Sequence, residues 1–262
     1  MPQDLQETLE SKQEKRRSEI LRHLIEAGSV PIKELSEKLG VSLMTVHRDL
    51  NVLHEQGFVR RLRGAVTAEK SMLFESSYLY RSRQQIEEKR RLARAAVRHI
   101  EPGNAIIWDD SSTTFQVTEY ISRVAPVTVV TNSLPVLERL NAEPEIDLIA
   151  LGGRYHKSYN GFFGVACERA IRALHVDVAL LSTTTVQGLS LYTQDEQVLR
   201  AKQAMIEVAR KRLLLVDSTK FGFAALNHVA DLTDFDRVLI AGPIEPAVID
   251  KLQGGGVRYE LV

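Results

Sequence analysis

Small polar residues follow the strand-like segments in the second half of this 262-residue chain. Their hydroxyl, amide and carboxylate groups suit the hydroxyls of a sugar-like compound, and backbone amides at helix N-termini suit a phosphate. Lys202, on a helix-like segment, adds a positive charge. These features predict a site for a small phosphate ester that carries several hydroxyl groups. The predicted effector-binding residues are Asp109, Ser111, Ser112, Thr113, Thr131, Asn132, Gly152, Gly153, Arg154, Thr183, Lys202, Asp217 and Lys220.

Each of these features also has an ordinary structural interpretation. Serine and threonine after strands often cap helices, and Gly152-Gly153 is typical of a turn. Asp217 and Lys220 would suit a surface ion pair. We favour a ligand site because the features coincide at several strand ends.

A second group of polar residues, near the start of the chain, has the chemistry of DNA recognition. Hydroxyl, imidazole, guanidinium and amide groups on one exposed helix face match the edges of bases in a major groove. Arginines on a short hairpin suit the DNA backbone or the minor groove. The alternative is a small helical bundle whose charges are merely solvated. The predicted DNA-binding residues are Ser42, Leu43, Thr45, His47, Arg48, Asn51, Arg60, Arg61 and Arg63.

The elements that position this second group form a helix-turn-helix pattern with a wing, over residues 12–66. Apolar residues recur at helical spacing in Lys12 to Ala27, and a second helix is predicted to begin near Pro31. Gly40 permits a tight turn, and Ser42 is a suitable N-cap for a third helix, whose buried stripe is predicted to be Val46, Leu50 and Leu53. The strand-like segment from Phe58 to Val66, broken by Gly64, predicts the wing.

The first group belongs to residues 84–262, where strand-like and helix-like segments alternate. This alternation predicts a mostly parallel sheet covered on both sides, with its ligand outside the carboxyl ends of the strands. The predicted strands are Ala105–Trp108, Val127–Val130, Ile146–Leu151, Val176–Leu181, Leu213–Val216, Val238–Ala241 and Val257–Leu261. The predicted helices between them are Phe115–Arg123, Leu134–Asn141, Ala166–Leu174, Gln194–Ala209 and Pro246–Gln253.

The segment that joins the two predicted domains shows a less regular spacing of apolar residues. Residues 67–83 show no sustained period and are predicted to be a linker. A helix is predicted over Gln84 to Ile100, closed by Pro102-Gly103. Its basic cluster, which includes Lys89 and Arg90, is predicted to be a solvated face because acidic residues are interleaved.

The amino-acid composition and charge exclude several classes of protein. The formal net charge is zero, so a DNA-binding function must rest on local charge. A single cysteine excludes a disulfide framework within the chain, and the polar N-terminal segment does not resemble a secretory signal. No run approaches 18 apolar residues, so we expect a cytoplasmic protein without a membrane span. The histidines show no metal-ligand spacing, and neither a metal nor a cofactor is predicted.

The run from Val41 to Val66 resembles the N-terminal signature of the DeoR family of bacterial repressors. The matching positions are Thr45, Arg48, Asp49, Leu50, Leu53, Gly57 and Arg61. The run departs from the family at His47, where arginine is usual, and at Leu62-Arg63, where His-Gly is commoner. These departures leave the module intact but put the DNA sequence that it prefers in doubt. Asp49 is predicted to orient a neighbouring arginine rather than to contact DNA.

The resemblance continues into the C-terminal domain, which looks like the DeoR-type sensor domain. The matching stretches are Asp109 to Thr113, Thr131 to Ser133, Gly152-Gly153, the stretch from Asp177, the run at Lys202, and Asp217 to Phe221. Ser111 replaces the usual glycine of the first stretch. The resemblance implies a fold related to ribose-5-phosphate isomerase and a role in sensing a phosphorylated sugar.

These observations predict a DNA-binding repressor of a carbohydrate-utilisation operon, released from its operator by a phosphorylated sugar. One alternative is a sugar-phosphate isomerase with an appended DNA-binding module, whose candidate bases are Asp109, Asp110 and Glu196. The other is a plain DNA-binding structural protein. No convincing catalytic arrangement is evident, so the chain is predicted not to be an enzyme. A homodimer or homotetramer is expected, because helix-turn-helix proteins usually read paired half-sites.

Overall fold

A computed structural model describes residues 12–13, 16–17, 19–21, 23–24, 27–55, 58–68, 78–222 and 225–262. It divides into two compact units, Met1–Tyr80 and Arg81–Val262. Gly57, one of the positions of the family resemblance, lies outside the described residues.

The first unit is a winged helix-turn-helix. The described residues of 12–27 are helical, and they are followed by β1 (Ser29–Pro31), α1 (Ile32–Leu39), α2 (Leu43–Glu55), β2 (Val59–Arg61) and β3 (Ala65–Ala68). The strands form an antiparallel sheet in the order β1-β3-β2. β1 was not predicted, because three residues are too few to show an alternating pattern. Gly40 (φ 62°) makes the turn between the helices, and Gly64 (φ 76°) makes the turn of the wing.

A small apolar core holds this unit together. Val46, Leu50 and Leu53 on α2 are buried, as predicted, and they belong to one cluster with Leu35 of α1 and Val66 of the wing. The spacing of the buried residues on α2 leaves its opposite face to solvent. Packing therefore decides which side of α2 is available for DNA.

The predicted linker overlaps elements at both of its ends. Thr67 and Ala68 belong to wing strand β3, and a short helix, α3, spans Tyr78–Arg81. Residues 69–77 lie outside the described residues. The boundaries proposed from the sequence therefore remain a proposal.

A parallel seven-stranded sheet dominates the second unit, as predicted. The strands are β4 (Ala105–Trp108), β5 (Val127–Thr131), β6 (Ile146–Ala150), β9 (Val176–Leu181), β12 (Ala209–Asp217), β14 (Arg237–Ala241) and β15 (Tyr259–Leu261). Their order in the sheet is β15-β14-β12-β9-β4-β5-β6, and every neighbouring pair is parallel. The helices are α4 (Ile86–Val97), α5 (Ser112–Phe115), α6 (Leu134–Leu140), α7 (Val165–Arg172), α8 (Glu196–Val208) and α9 (Pro246–Gly254).

Helices cover both faces of this sheet, because its strands carry apolar side chains on both sides. Ile107, Ala179 and Leu214 belong to a core that includes residues of α7 and α8. Ile106 and Leu180, one residue away in the strands, belong to a second core that includes residues of α4 and α6. This alternation is the expected result of the two-residue period of a strand.

Two small antiparallel sheets were not predicted. β7 (Arg154–His156) pairs with β8 (Gly161–Phe163), and β11 (Ser190–Thr193) lies between β10 (Thr185–Gln187) and β13 (Asn227–Asp231). Most of these strands are three or four residues long, which is too short for a periodic pattern.

The helix predicted over Phe115–Arg123 was wrong. The chain forms the single turn of α5 and then two 3-10 helices, Gln116–Glu119 and Ile121–Val124. Val117 and Ile121, four positions apart, are both buried. The backbone is nevertheless wound more tightly, since Tyr120 N donates to Val117 O at 2.9 Å.

The direction of the strand order reverses at β4. From β4 the chain adds β5 and β6 on one side, and then β9, β12, β14 and β15 on the other. The loops after β4 and β9 therefore diverge at the carboxyl edge of the sheet. Such a switch point is where open α/β sheets bind ligands.

Candidate functional site

A buried ion pair between Asp109 and Lys202 lies at this switch point. Asp109 follows β4 directly and is fully buried, and Lys202 on α8 is 5% exposed. Lys202 Nζ donates to Asp109 Oδ2 and, at 2.9 Å, to the carbonyl oxygen of Ser182. The structure thus brings together residues that are 93 positions apart in the chain.

Backbone and hydroxyl groups supply the other donors to Asp109. Its Oδ1 atom accepts from Ser111 N at 3.0 Å and from Thr114 Oγ1 at 2.8 Å. Its Oδ2 atom accepts from Ser111 Oγ and from Ser182 N, both at 2.9 Å. Because donors surround both oxygens, the carboxylate is held in one orientation and ties the loops after β4 and β9 together.

Asp110 stands beside this pair in a less satisfied environment. Its carboxylate lies 3.9 Å from Lys202 Nζ and 3.8 Å from Arg81 Nη2. Burial raises the pKa of Asp110 and Asp109 adds to the rise, whereas Lys202 and Arg81 oppose it. Burial and the neighbouring Asp109 thus disfavour the charged form of Asp110, and the two nearby cations favour it.

Several buried polar atoms at the same edge have no hydrogen-bond partner among the described residues. They are Trp108 Nε1, Asn132 Oδ1, Ser133 Oγ and Asp217 Oδ2. Trp108 and Asp217 end β4 and β12, and the other two follow β5. Since buried polar groups are normally satisfied, this concentration at one sheet edge indicates a place for a polar ligand or ordered water.

Other predicted residues hold the backbone of the surrounding loops. Thr131 Oγ1 donates to Trp108 O at 2.7 Å, and Thr183 Oγ1 donates to the carbonyl oxygens of Thr185 and Tyr192, both at 3.2 Å. Asp217 Oδ1 accepts from Thr219 N at 3.2 Å. Thr113 is buried beside them in α5, and Lys220 is half-buried. Asn132 Nδ2 donates to Phe162 O at 3.0 Å.

The predicted residues after β6 lie farther along the sheet. β6 is the outermost strand, and β5 separates it from β4. Gly153 has a φ of 151°, and a Cβ atom there would lie 2.5 Å from Phe163 O, so this position needs glycine. Gly152 and Arg154 are exposed. This segment forms a turn at the rim of the sheet. Among the described residues, it makes no hydrogen bond or ion pair with Asp109 or Lys202.

Lys89 was missed as a site residue, and the prediction that it lies on a solvated helix face was wrong. The side chain is 1% exposed, and its Nζ atom donates to Arg81 O and, at 3.1 Å, to Ser112 Oγ. Helical spacing could have located it, because Lys89 precedes the buried Leu92 and Ala93 by three and four positions. Arg91 and Arg94, by contrast, are exposed.

Burial lowers the pKa of Lys89 to about 7, an effect that Lys220 and Arg81 reinforce and Asp217 opposes. Above pH 7 the unfolded chain holds a proton that the folded protein has released. Lys89 should therefore make the free energy of unfolding increase as the pH rises from 7 towards 10, by at most about 1.4 kcal/mol per pH unit. Lys89→Met should remove that part of the slope, measured by urea unfolding at pH 7 and pH 9. The exposed Lys251→Met is the control; equal slopes in wild type and Lys89→Met would contradict the expectation.

The predicted DNA-contacting residues belong to α2, its N-cap and the wing of the first unit. Leu43, His47, Arg48 and Asn51 are exposed on α2, and the arginines Arg60, Arg61 and Arg63 are exposed in the wing. Ser42 Oγ accepts from Thr45 N at 3.2 Å, so Ser42 caps α2 as predicted. Most of these side chains are therefore accessible to a duplex, whereas Thr45 is half-buried beside its cap.

Asp49, on the opposite side of α2, is buried and bonded to two arginines. Arg16 Nε and Arg17 Nε donate to its two oxygens, at 2.5 and 3.1 Å. This geometry agrees with the prediction that Asp49 orients a neighbouring arginine. The ion pairs fix the first helical segment against α2 and leave the exposed face free.

A winged helix-turn-helix followed by a parallel α/β unit with a polar switch point defines a DNA-binding transcriptional regulator with a sensor domain. Residues 16–72 match the DeoR-like helix-turn-helix domain, and residues 84–241 match the DeoR C terminal sensor domain. The chain belongs to the DeoR family of transcriptional regulators.

Individual relatives extend over nearly the whole chain. The chain is 30% identical to the putative aga operon transcriptional repressor of Escherichia coli O157:H7, over 94% of this chain and 93% of that protein. It is 29% identical to the glycerol-3-phosphate regulon repressor of E. coli strain K12, over 95% and 99%. It is 28% identical to the L-fucose operon activator of Haemophilus influenzae, over 84% and 88%.

Among solved structures, the chain is similar to ribose 5-phosphate isomerase A from Neisseria gonorrhoeae. That similarity has 18% identity and a TM-score of 0.39, and it covers 53% of this chain and 55% of the isomerase. Within the described residues, no helix is both long and apolar enough to span a membrane, and no cluster of histidine, cysteine or carboxylate side chains could hold a metal ion.

Proposed function

We propose that this regulator represses a carbohydrate-utilisation operon and leaves its operator when a phosphorylated sugar binds at the carboxyl edge of the large sheet. The observation that carries the proposal is the buried Asp109–Lys202 pair, which joins the loops after β4 and β9 at the switch point. A ligand that contacts both loops would favour one arrangement of them. Such differential binding to two states is what couples an effector to DNA affinity.

The charge around Ser112 supports an anionic group on the effector. Lys89 donates to Ser112 Oγ, and it lies within electrostatic reach of Lys220 and Arg81. Lys220 and Arg81 each repel a charged Lys89, Asp217 attracts it, and a phosphate bound near Lys89 would offset the repulsion. We therefore add Lys89 and Arg81 to the effector contacts proposed from the sequence.

The names of the relatives support a carbohydrate-related effector and favour repression. Two of the three relatives described above are repressors, and the third is an activator. Because repressors outnumber activators among these three relatives, we propose that this chain is a repressor. A reporter gene placed behind the operator would rise when this regulator is deleted; a fall would assign activation instead.

One observation favours a second candidate function, a sugar-phosphate isomerase. Asp110 is a buried carboxyl group with a raised pKa next to Lys202, and a catalytic base often has that environment. The other candidate bases fit less well, since donors surround Asp109 and Glu196 is exposed and paired with Arg200. We propose that the chain is not an enzyme. Turnover of pentose or hexose phosphates at ordinary enzymatic rates would reverse that assignment.

We further propose that the regulator acts in the cytoplasm as a homodimer or homotetramer. Each chain has one recognition surface, on the exposed face of α2. Two symmetry-related chains would therefore read a palindromic operator with two half-sites. The proposed DNA contacts are those predicted from the sequence.

Lys220→Ala should abolish the response to the effector while operator binding persists. The lysine is half-buried at the carboxyl end of β12, within electrostatic reach of Lys89, so its loss removes one of the proposed phosphate contacts. A panel of phosphorylated sugars is screened by thermal shift, because a ligand that binds the native state raises the melting temperature. The sugar that stabilises the wild type should not stabilise Lys220→Ala.

The matched control is Lys251→Ala, which removes a lysine exposed on α9 and should respond like the wild type. Lys220→Ala protein that is stabilised and released from DNA like the control would place the effector elsewhere.

A further inference from the structure

A hydrogen bond joins the wing to the exposed face of α2 inside the DNA-binding unit. Arg61, at the end of β2, donates from Nη2 to Asn51 Oδ1. The same nitrogen donates to the carbonyl oxygen of His47 at 3.2 Å. Arg61 and Asn51 are both exposed, so this bond lies on the surface that the regulator presents to DNA.

The chemistry of the guanidinium group determines which way the Asn51 amide points. Arginine has hydrogen-bond donors and no acceptor, so it can bind the amide oxygen but not the amide nitrogen. The Nδ2 group of Asn51 must then point away from Arg61. The second contact, to His47 O, anchors the guanidinium to the backbone of α2 one helical turn before Asn51.

An asparagine held in this way is biased against the usual reading of adenine. Bidentate recognition of adenine uses the amide oxygen to accept from N6 and the amide nitrogen to donate to N7. Arg61 occupies one of the two lone pairs of the Asn51 oxygen and places a positive charge beside it, whereas the Nδ2 group keeps its two donors. Guanine presents two acceptors, N7 and O6, in the major groove and therefore suits such a group better than adenine does.

We propose that Arg61 is a positioning residue that makes Asn51 act mainly as a donor, so that the base pair facing Asn51 is read as guanine rather than adenine. This inference rests on the proposal that α2 enters the major groove. It changes the role expected for Arg61 from a contact of the wing with the DNA backbone to a determinant of base specificity.

Selection from a random duplex library, followed by sequencing, tests this assignment. The full-length wild type, Asn51→Ala, Arg61→Ala and Arg63→Ala are selected in parallel. Asn51→Ala identifies the base pair read by Asn51, because preference is lost there. The wild type should favour guanine at that pair, and Arg61→Ala should shift the preference towards adenine by about tenfold, since the amide oxygen becomes free.

Arg63→Ala is the matched control, because it removes an equal charge from the turn of the wing while Asn51 keeps its partner. It should weaken binding to all sequences alike and leave the preference unchanged. A similar uniform loss in Arg61→Ala would show that Arg61 contacts phosphate and would overturn the inference, as would a wild-type preference for adenine. If the wild type enriched no sequence, the placement of α2 in the major groove would fail as well.

Discussion

Arg48→Ala should lower operator affinity about ten- to a hundredfold, which corresponds to the roughly 1–3 kcal/mol of a good base contact. Arg48 is exposed on α2, in the middle of the face formed by His47 and Asn51. Its side chain can donate two parallel hydrogen bonds to a guanine edge, which alanine cannot replace. Fluorescence anisotropy with an operator selected from a random library would measure the change at fixed salt, because salt alone alters such affinities.

Arg91→Ala provides the control for this experiment. It removes the same charge from an exposed position on α4 in the sensor unit and should leave affinity within about twofold of wild type. Arg48→Ala should also fold normally, since alanine is favourable at an exposed helix position. Unchanged operator affinity in Arg48→Ala would remove α2 from the role of recognition helix.

Lys202→Met should destabilise the sensor unit by about 3–5 kcal/mol, because it leaves the Asp109 carboxylate buried without its counter-charge. Asp109 is fully buried and Lys202 is 5% exposed, so water cannot take over the lost interaction. Methionine matches the four-atom stem of lysine and lacks only the terminal ammonium group, so the loss reports mainly the missing charge and its hydrogen bonds. Urea unfolding monitored through the fluorescence of Trp108, the last residue of β4 and the neighbour of Asp109, would measure the loss.

A double mutant separates the charge effect from general damage to the core. Asp109→Asn removes the negative charge with little change of shape, so Asp109→Asn/Lys202→Met should be more stable than Lys202→Met alone. The coupling energy from the mutant cycle isolates the interaction of the two residues. Lys251→Met, at an exposed site, should change stability by no more than about 0.5 kcal/mol. Simple additivity of the two core substitutions would show that Asp109 and Lys202 do not stabilise each other.

The larger elements of both units were predictable from local patterns. The apolar spacing of Val46, Leu50 and Leu53 identified α2 and its buried side, and Gly40 marked the turn before it. The alternation of strand-like and helix-like segments predicted a parallel sheet with two covered faces, which the structure confirms. Short strands escaped prediction, because three or four residues contain too little periodic information.

The prediction for Lys89 failed for a different reason. A cluster of charged residues was interpreted as one solvated face, although Lys89 occupies the apolar stripe of α4 and is buried. Its partners are the backbone of Arg81 and the hydroxyl of Ser112, and the latter is 23 positions away. A local sequence pattern cannot identify such a distant partner. The charged composition of the segment therefore led to the wrong prediction for Lys89.

The sequence by itself determined the classes of element, the two-domain organisation that we propose, and the polar residues at the strand ends. These follow from short-range periodicity and from the side chains that each segment carries. Only the tertiary structure decided which of those residues meet. The strand order places β4 beside β9 and so unites Asp109 with Lys202, whereas Arg154 stays at the rim beyond β5. The fold likewise placed Arg61 against Asn51, because strand pairing and core packing bring distant segments together in a way that local spacing does not encode.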